Sequence, residues 1–195
     1  MAGYRKRKLD REDFLSDIVT AFEERIHTDV IVKPGDGGPG IPAHKAVLAV
    51  RSKVFSYMLD SDEFKTSIEG SITIPDLSYE ELKTLLKFFY DGFLSFTTKH
   101  IRALYLAADK YDIEYLQDIC REQLTYSLTV SNVLDILMLS SIPSDKLLMT
   151  SAIDFIVIHM KEIVNSSKYK AFVRGNPDLS LEITKAYITY KGKRY

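Results

Sequence analysis

The sequence predicts an α+β protein: a small sheet flanked by a helical cluster, followed by an all-helical extension. Three observations predict it. First, the apolar strand Asp29-Val30-Ile31-Val32 leads into a loop over Lys33 to Gly40 with four glycines and two prolines, and the chain returns through Ile41-Pro42-Ala43; strand, turn residues and return spell a hairpin. Second, two short helical patterns follow at once, His44 to Val50 and a second opening at Ser52, a good N-cap, with Phe55, Met58 and Leu59 at i, i+3 and i+4. Third, beyond Tyr126 the apolar pattern is helical throughout.

Taken in order, residues 1–9 hold the basic run Arg5-Lys6-Arg7-Lys8, readable as an import signal or as a solvated, disordered tail. Asp10 caps a helix over about Arg11 to Ile26, whose stripe of Phe14, Leu15, Ile18, Val19, Phe22 and Ile26 packs either on its own core or on a partner subunit. After the hairpin and its two helices comes a polar stretch, Asp60 to Gly70, with Phe64 among charges, then a strand Ser71-Ile72-Thr73-Ile74. Ser78-x-x-Glu81 is a capping box, and Gly92 closes the helix that it opens. Helices over Lys99 to Lys110 and Ile113 to Tyr126 follow, with Cys120 on the apolar stripe of the second. A subdomain boundary is expected at about Tyr126 to Thr129, then helices at Val130 to Leu139, Ser144 to Met160, a short element at Ile163 to Phe172 and a last helix at Asp178 to Tyr190, before the basic tail 191–195.

Composition narrows the function. The chain has 195 residues, 46% hydrophobic and 27% charged, as in ordinary globular domains. A net charge of -1 gives no global drive towards nucleic acid or an anionic membrane. One cysteine excludes an intrachain disulfide and a multi-cysteine metal site. Neither a signal peptide nor a membrane span is expected, so the expected location is cytoplasmic, nuclear or both. The four histidines, His27, His44, His100 and His159, show no ligand spacing, and no nucleophile elbow, phosphate-binding lysine loop or zinc-protease helix is present. The expectation is a non-enzyme without catalytic residues, metal or cofactor. Gly35-x-Gly37-x-x-Gly40 matches the dinucleotide fingerprint. That fingerprint must open a helix, however, and Pro39 and Pro42 bracket the place where the helix would run.

The string AHKAVLAVRS-x-VF, with Asp29, the His44-Lys45 pair, Leu48, Arg51-Ser52, Phe55 and Met58, resembles the BTB/POZ family of protein-interaction domains. The resemblance continues through LAADKYDIEYL to near the C-terminus. It is nearest to the BTB of speckle-type (MATH-BTB) ubiquitin-ligase adaptors and to small plant BTB proteins. It implies a BTB/POZ fold over residues 10–126 with an N-terminal dimerisation helix, and a BACK-like extension over 127–190. It also implies a homodimer through Phe14, Leu15, Ile18, Val19 and Phe22, or pairing with other BTB proteins. Asp29, His44 and Arg51 are implied to line a largely buried structural pocket, in which Asp29 and Arg51 are a charged pair to watch and His44 a helix-start residue held by local hydrogen bonds.

The family's contact with the cullin-3 scaffold uses a hydrophobic-x-Glu motif before the third strand. Its nearest match is Phe64-Lys65-Thr66, with Thr66 where an acidic residue belongs, and with Tyr57 and Tyr111 as neighbours or core residues. The resulting reading is an adaptor bringing an unidentified substrate protein to a cullin-3 ubiquitin ligase for proteasomal degradation. The rival is a dimerisation module that regulates other BTB proteins outside the ligase.

Overall fold

The computed structural model describes residues 16–66, 70–94 and 99–192. Asp10, Phe14, Leu15, the basic run at residues 5–8 and residues 193–195 lie outside them. The chain divides into two compact units, Met1–Ile119 and Cys120–Tyr195.

The first unit begins with helix α1, residues 16–23. It ends in a Schellman turn: the Ile26 N–H donates to Ala21 O (2.8 Å) and the Arg25 N–H to Phe22 O (3.2 Å). Arg25 occupies the left-handed position, φ 58°, where glycine is usual and a side chain costs about 1 kcal/mol. Strand β1 (Val30–Pro34) pairs antiparallel with β2 (Ile41–Ala43) and parallel with β3 (Ser71–Ile74), in the order β2-β1-β3. The strand extends two residues beyond its predicted end because Lys33 and Pro34 pair with Thr73 and Ile74.

The glycine loop makes the predicted hairpin, and packing explains its glycines. A Cβ on Gly35 would run into the Pro75 carbonyl, and Gly37 turns with φ 77°. The Gly35 N–H donates to Leu77 O (2.9 Å), tying the hairpin to the chain after β3.

Helices α2 (Lys45–Arg51) and α3 (Lys53–Asp60) meet at Ser52. Its backbone N–H closes α2 on Leu48 O (3.1 Å), and its hydroxyl accepts the Phe55 N–H (3.1 Å) to open α3. Asp62–Thr66 form a short α4, which Ser61 caps by accepting the Phe64 N–H (3.2 Å). Helix α5 (Tyr79–Asp91) carries the predicted capping box, the Ser78 N–H donating to Glu81 Oε2 (2.9 Å), and Gly92 closes it at φ 67°. Its Leu82, Leu85, Leu86 and Phe89 are buried with Val32, Leu48, Phe55 and Ile74. Each such side chain contributes roughly 1.5–3 kcal/mol by leaving water. Helices α6 (Ile101–Lys110) and α7 (Glu114–Tyr126) follow, with Leu104, Tyr105 and Leu116 fully buried. Cys120 is buried, and burial pushes its thiol up to about 12.

The second unit is helical: α8 (Val133–Ser141), α9 (Lys146–Ile158), α10 (Met160–Ile163), α11 (Ser167–Gly175) and α12 (Pro177–Gly192). Its core joins Val133, Leu134, Leu137, Ala152, Ile156, Ile163, Phe172 and Ile183. Helix α8 starts later than the expected Val130. Thr129 and Asn132 close a turn on each other, the Thr129 N–H donating to Asn132 Oδ1 (2.8 Å) and the Asn132 N–H to Thr129 Oγ1 (3.2 Å). Asp145, not Ser144, opens α9, because its Oδ1 accepts the Leu147 and Leu148 N–H groups (3.1 and 3.2 Å). Asp145 Oδ2 accepts from Arg121 Nε at 2.6 Å, and the carboxylate side chain is only 4% exposed.

Removing one partner of a buried ion pair strands the other. Asp145→Ala is therefore expected to cost about 3 kcal/mol, read as a lower urea midpoint, while Lys146→Ala next to it changes the unfolding free energy by no more than about 0.5 kcal/mol.

Candidate protein-interaction surface

Asp29, His44 and Arg51 stand close in the fold, each engaged with backbone. Asp29 Oδ1 accepts the Lys45 N–H (2.8 Å), holding the first residue of α2. Arg51 Nε donates to Phe89 O (2.8 Å) near the end of α5. Both side chains are exposed and do not pair with each other, which corrects the expectation of a buried charged pair. The reason is local: each charge stabilises an unpaired backbone group, and doing so at the surface avoids the desolvation that a buried pair would suffer.

His44 does more than start a helix. Its Nε2 lies 2.7 Å from Ile26 O, its Nδ1 2.8 Å from Tyr90 Oη, and its backbone N–H donates to the same hydroxyl (2.9 Å). A carbonyl only accepts, so Nε2 carries the proton and Nδ1 accepts from the tyrosine hydroxyl. Burial raises Tyr90 to about 12, and its ring stacks on Phe22 at 4.3 Å. One histidine thus joins the end of α1, the start of α2 and α5.

The residues expected at a cullin contact separate. Tyr57 on α3 is 74% exposed and borders a cleft of about 580 Å³ formed with Val54, Met58, Phe64 and the strand β3. Phe64 is not a projecting anchor. It is 9% exposed, turned back by the Ser61 cap, with the Lys45 ammonium 4.8 Å from its ring centre. Lys65 is exposed beside it. The side chain of Thr66 lies outside the described residues. Tyr111 is core: it is buried against Phe55 and donates its hydroxyl to Asp76 Oδ2 (2.7 Å). Lys110 and Tyr111, both hydrogen-bonded to it, hold the Asp76 carboxyl below the usual range, and burial raises the Tyr111 hydroxyl.

Of the expected dimer residues, Phe14 and Leu15 lie outside the described residues. Phe22 packs on Tyr90 of its own chain, and Ile18 and Val19 are half-buried. Sequence reasoning named Ser52 as a cap and Lys45 beside His44, but it missed the contacts that Tyr90, Ser52 and Lys45 make with partners 46, 59 and 19 residues away. Among the described residues, no cluster of histidine, cysteine and carboxylates is arranged to hold a metal, and no helix is long and apolar enough to cross a membrane.

A sheet hairpin tied to a helical pair, with a third strand parallel to the first, matches a known family, whose profile covers residues 19–128 and is that of the BTB/POZ domain. The chain belongs to the BTB/POZ family. It is 61% identical over 175 residues to the BTB/POZ domain-containing protein At1g01640 of Arabidopsis thaliana, over 90% of this chain and 84% of that one. It is 42% identical over 183 residues to the Arabidopsis thaliana BTB/POZ domain-containing protein At5g48510, over 90% of this chain and 82% of the relative. The solved BTB domain of zebrafish PATZ1 shares the fold at a TM-score of 0.50 and 22% identity, over 59% of this chain and 91% of that structure. BTB/POZ domains are protein-interaction modules.

Tyr90→Phe removes the hydroxyl that serves both His44 groups. It is expected to cost about 1–3 kcal/mol, read by urea melts at pH 7. In the parent protein the buried hydroxyl's contribution is intact below pH 10, where Tyr90 is protonated folded and unfolded, and is lost as the pH rises through about 12; Tyr90→Phe should lack that part of the alkaline loss.

Proposed function

We propose that this chain is a homodimeric BTB adaptor that brings target proteins to a cullin-3 ubiquitin ligase, with catalysis supplied by the recruited ubiquitin-conjugating enzyme. The observation that carries the reading is Tyr57, 74% exposed at the mouth of the cleft between α3 and β3. An exposed tyrosine beside a partly apolar cleft is the usual form of an interface anchor, since it adds large contact area at little entropic cost. With Phe64 folded inward, Phe64 shapes the cleft and Tyr57 takes the anchoring role. In this reading the dimer forms through α1, where Ile18 and Val19 are incompletely buried by their own chain.

The inward Phe64 and the absence of an acidic residue at position 66 favour a second reading, a BTB dimerisation module acting outside the ligase. One titration separates the two. Against the cullin-3 N-terminal domain in a calorimeter, the adaptor reading expects binding by the parent protein, a loss of about 2 kcal/mol or roughly thirtyfold for Tyr57→Ala, and tighter binding for Thr66→Glu. No heat from either the parent protein or Thr66→Glu would sink the adaptor reading in favour of the regulatory dimer. Sedimentation of both proteins at micromolar concentration is expected to give a dimer.

A further inference from the structure

A second cleft, of about 440 Å³, opens on the other side of the hairpin between the end of α1, the strand β2 and the exposed face of α5. Three cations line it: Arg25, Lys83 and Lys87. Among the described residues its one lining carboxylate, Glu23, is already engaged with Lys87 at 3.4 Å. The side chains of Arg25 and Lys83 have no hydrogen-bond or ion-pair partner among the described residues. Asp36, which reaches the neighbouring Tyr79, spends its two carboxylate oxygens on the Gly38 and Tyr79 N–H groups (3.0 and 2.9 Å). Two cations without a partner among the described residues, and a third weakly held one, therefore face an open cleft.

The backbone supplies an independent observation. Arg25 sits at the left-handed position of a Schellman turn, where glycine is free of strain and arginine is not. Backbone strain of this kind collects at functional sites, where a side chain is worth more than a relaxed turn. Here it delivers a guanidinium to the cleft. The remaining wall is β2, an edge strand of the sheet, with residues 40–42 along the cleft and the Tyr79 ring nearby. Pro42, which has no N–H, faces the open side of this strand, so β2 shapes the cleft without pairing with a ligand's backbone.

We propose that this cleft docks an acidic segment of a partner protein, its carboxylates meeting Arg25, Lys83 and Lys87. The surface lies away from Tyr57, so a target and a second partner fit the same BTB domain. The site stands whether or not a cullin binds, and its test contains none.

The probe is a fluorescein-labelled decapeptide of alternating glutamate and valine, titrated with the full chain and followed by anisotropy. Binding is expected, and it should weaken as salt rises. Arg25→Glu with Lys83→Glu is expected to weaken it at least ~tenfold, while Lys170→Glu, an exposed lysine of α11, leaves it unchanged. Arg25→Gly separates binding from folding: it is expected to weaken the peptide while leaving the melting temperature unchanged or higher, because the turn is relieved. Three results would overturn the proposal: no binding by the parent chain, equal binding of the glutamine–valine peptide, or displacement of the probe by oligouridylate as effectively as by unlabelled acidic peptide, which would make the cleft a general polyanion surface.

Discussion

One hydroxyl sits where the first unit's helices converge. The Ser52 side chain, 3% exposed with its residue, accepts the Phe55 N–H at 3.1 Å and donates to Tyr111 O at 2.5 Å. The first bond starts α3 immediately after α2 ends, so the two helices turn without a loop. The second holds the turn between α6 and α7 against that corner. Tyr111 is thereby set beside Phe55, whose ring meets Phe89 edge-on at 5.5 Å. A buried polar group is stable only when its hydrogen bonds are made, so the hydroxyl specifies one arrangement of α3, α5 and the α6–α7 turn. Apolar burial alone is non-directional and would tolerate several.

The same economy governs the charged residues. Asp29, Arg51 and Asp36 each serve backbone groups from the surface, at a helix start, a helix end and a turn. Asp145 is the exception, with a side chain 4% exposed, and it is matched by Arg121 and by two backbone N–H groups. Such structural charges have their partners within the chain. Arg25 and Lys83 have none among the described residues, and Tyr57 exposes an aromatic ring that its own core does not need. A protein whose family works by contact is expected to show its interaction surfaces in this way, as groups left unsatisfied by folding.

The local features were legible because their causes are local. The capping box at Ser78 and Glu81, the Ser52 cap, the αL glycine at 92 and the period-2 strand at Ser71–Ile74 each depend on residues within a few positions. So does the hairpin, where Pro39 and Pro42 deny the helix that a nucleotide loop would need. Boundaries slipped where a side chain competed with the helix for backbone hydrogen bonds, as at Thr129, Asn132 and Asp145.

The sequence by itself determined the α+β class, the order of the strands and of the longer helices, the buried Cys120 and membership of the BTB/POZ family through the AHKAVLAVRS string, but not the short helices Asp62–Thr66 and Met160–Ile163. These follow from periodicity, capping and motif, which are written along the chain. Tertiary structure alone decided which aromatic residues are surface and which are core. Phe64 stands among charges in the sequence yet turns inward, Tyr57 lies on an amphipathic helix yet faces out, and Tyr111 finds Asp76 and Phe55 from distant elements. It also decided that Arg25 and Lys83, 58 positions apart, share a cleft. Neither kind of fact is encoded at short range, because the burial of a side chain depends on what the rest of the fold brings against it.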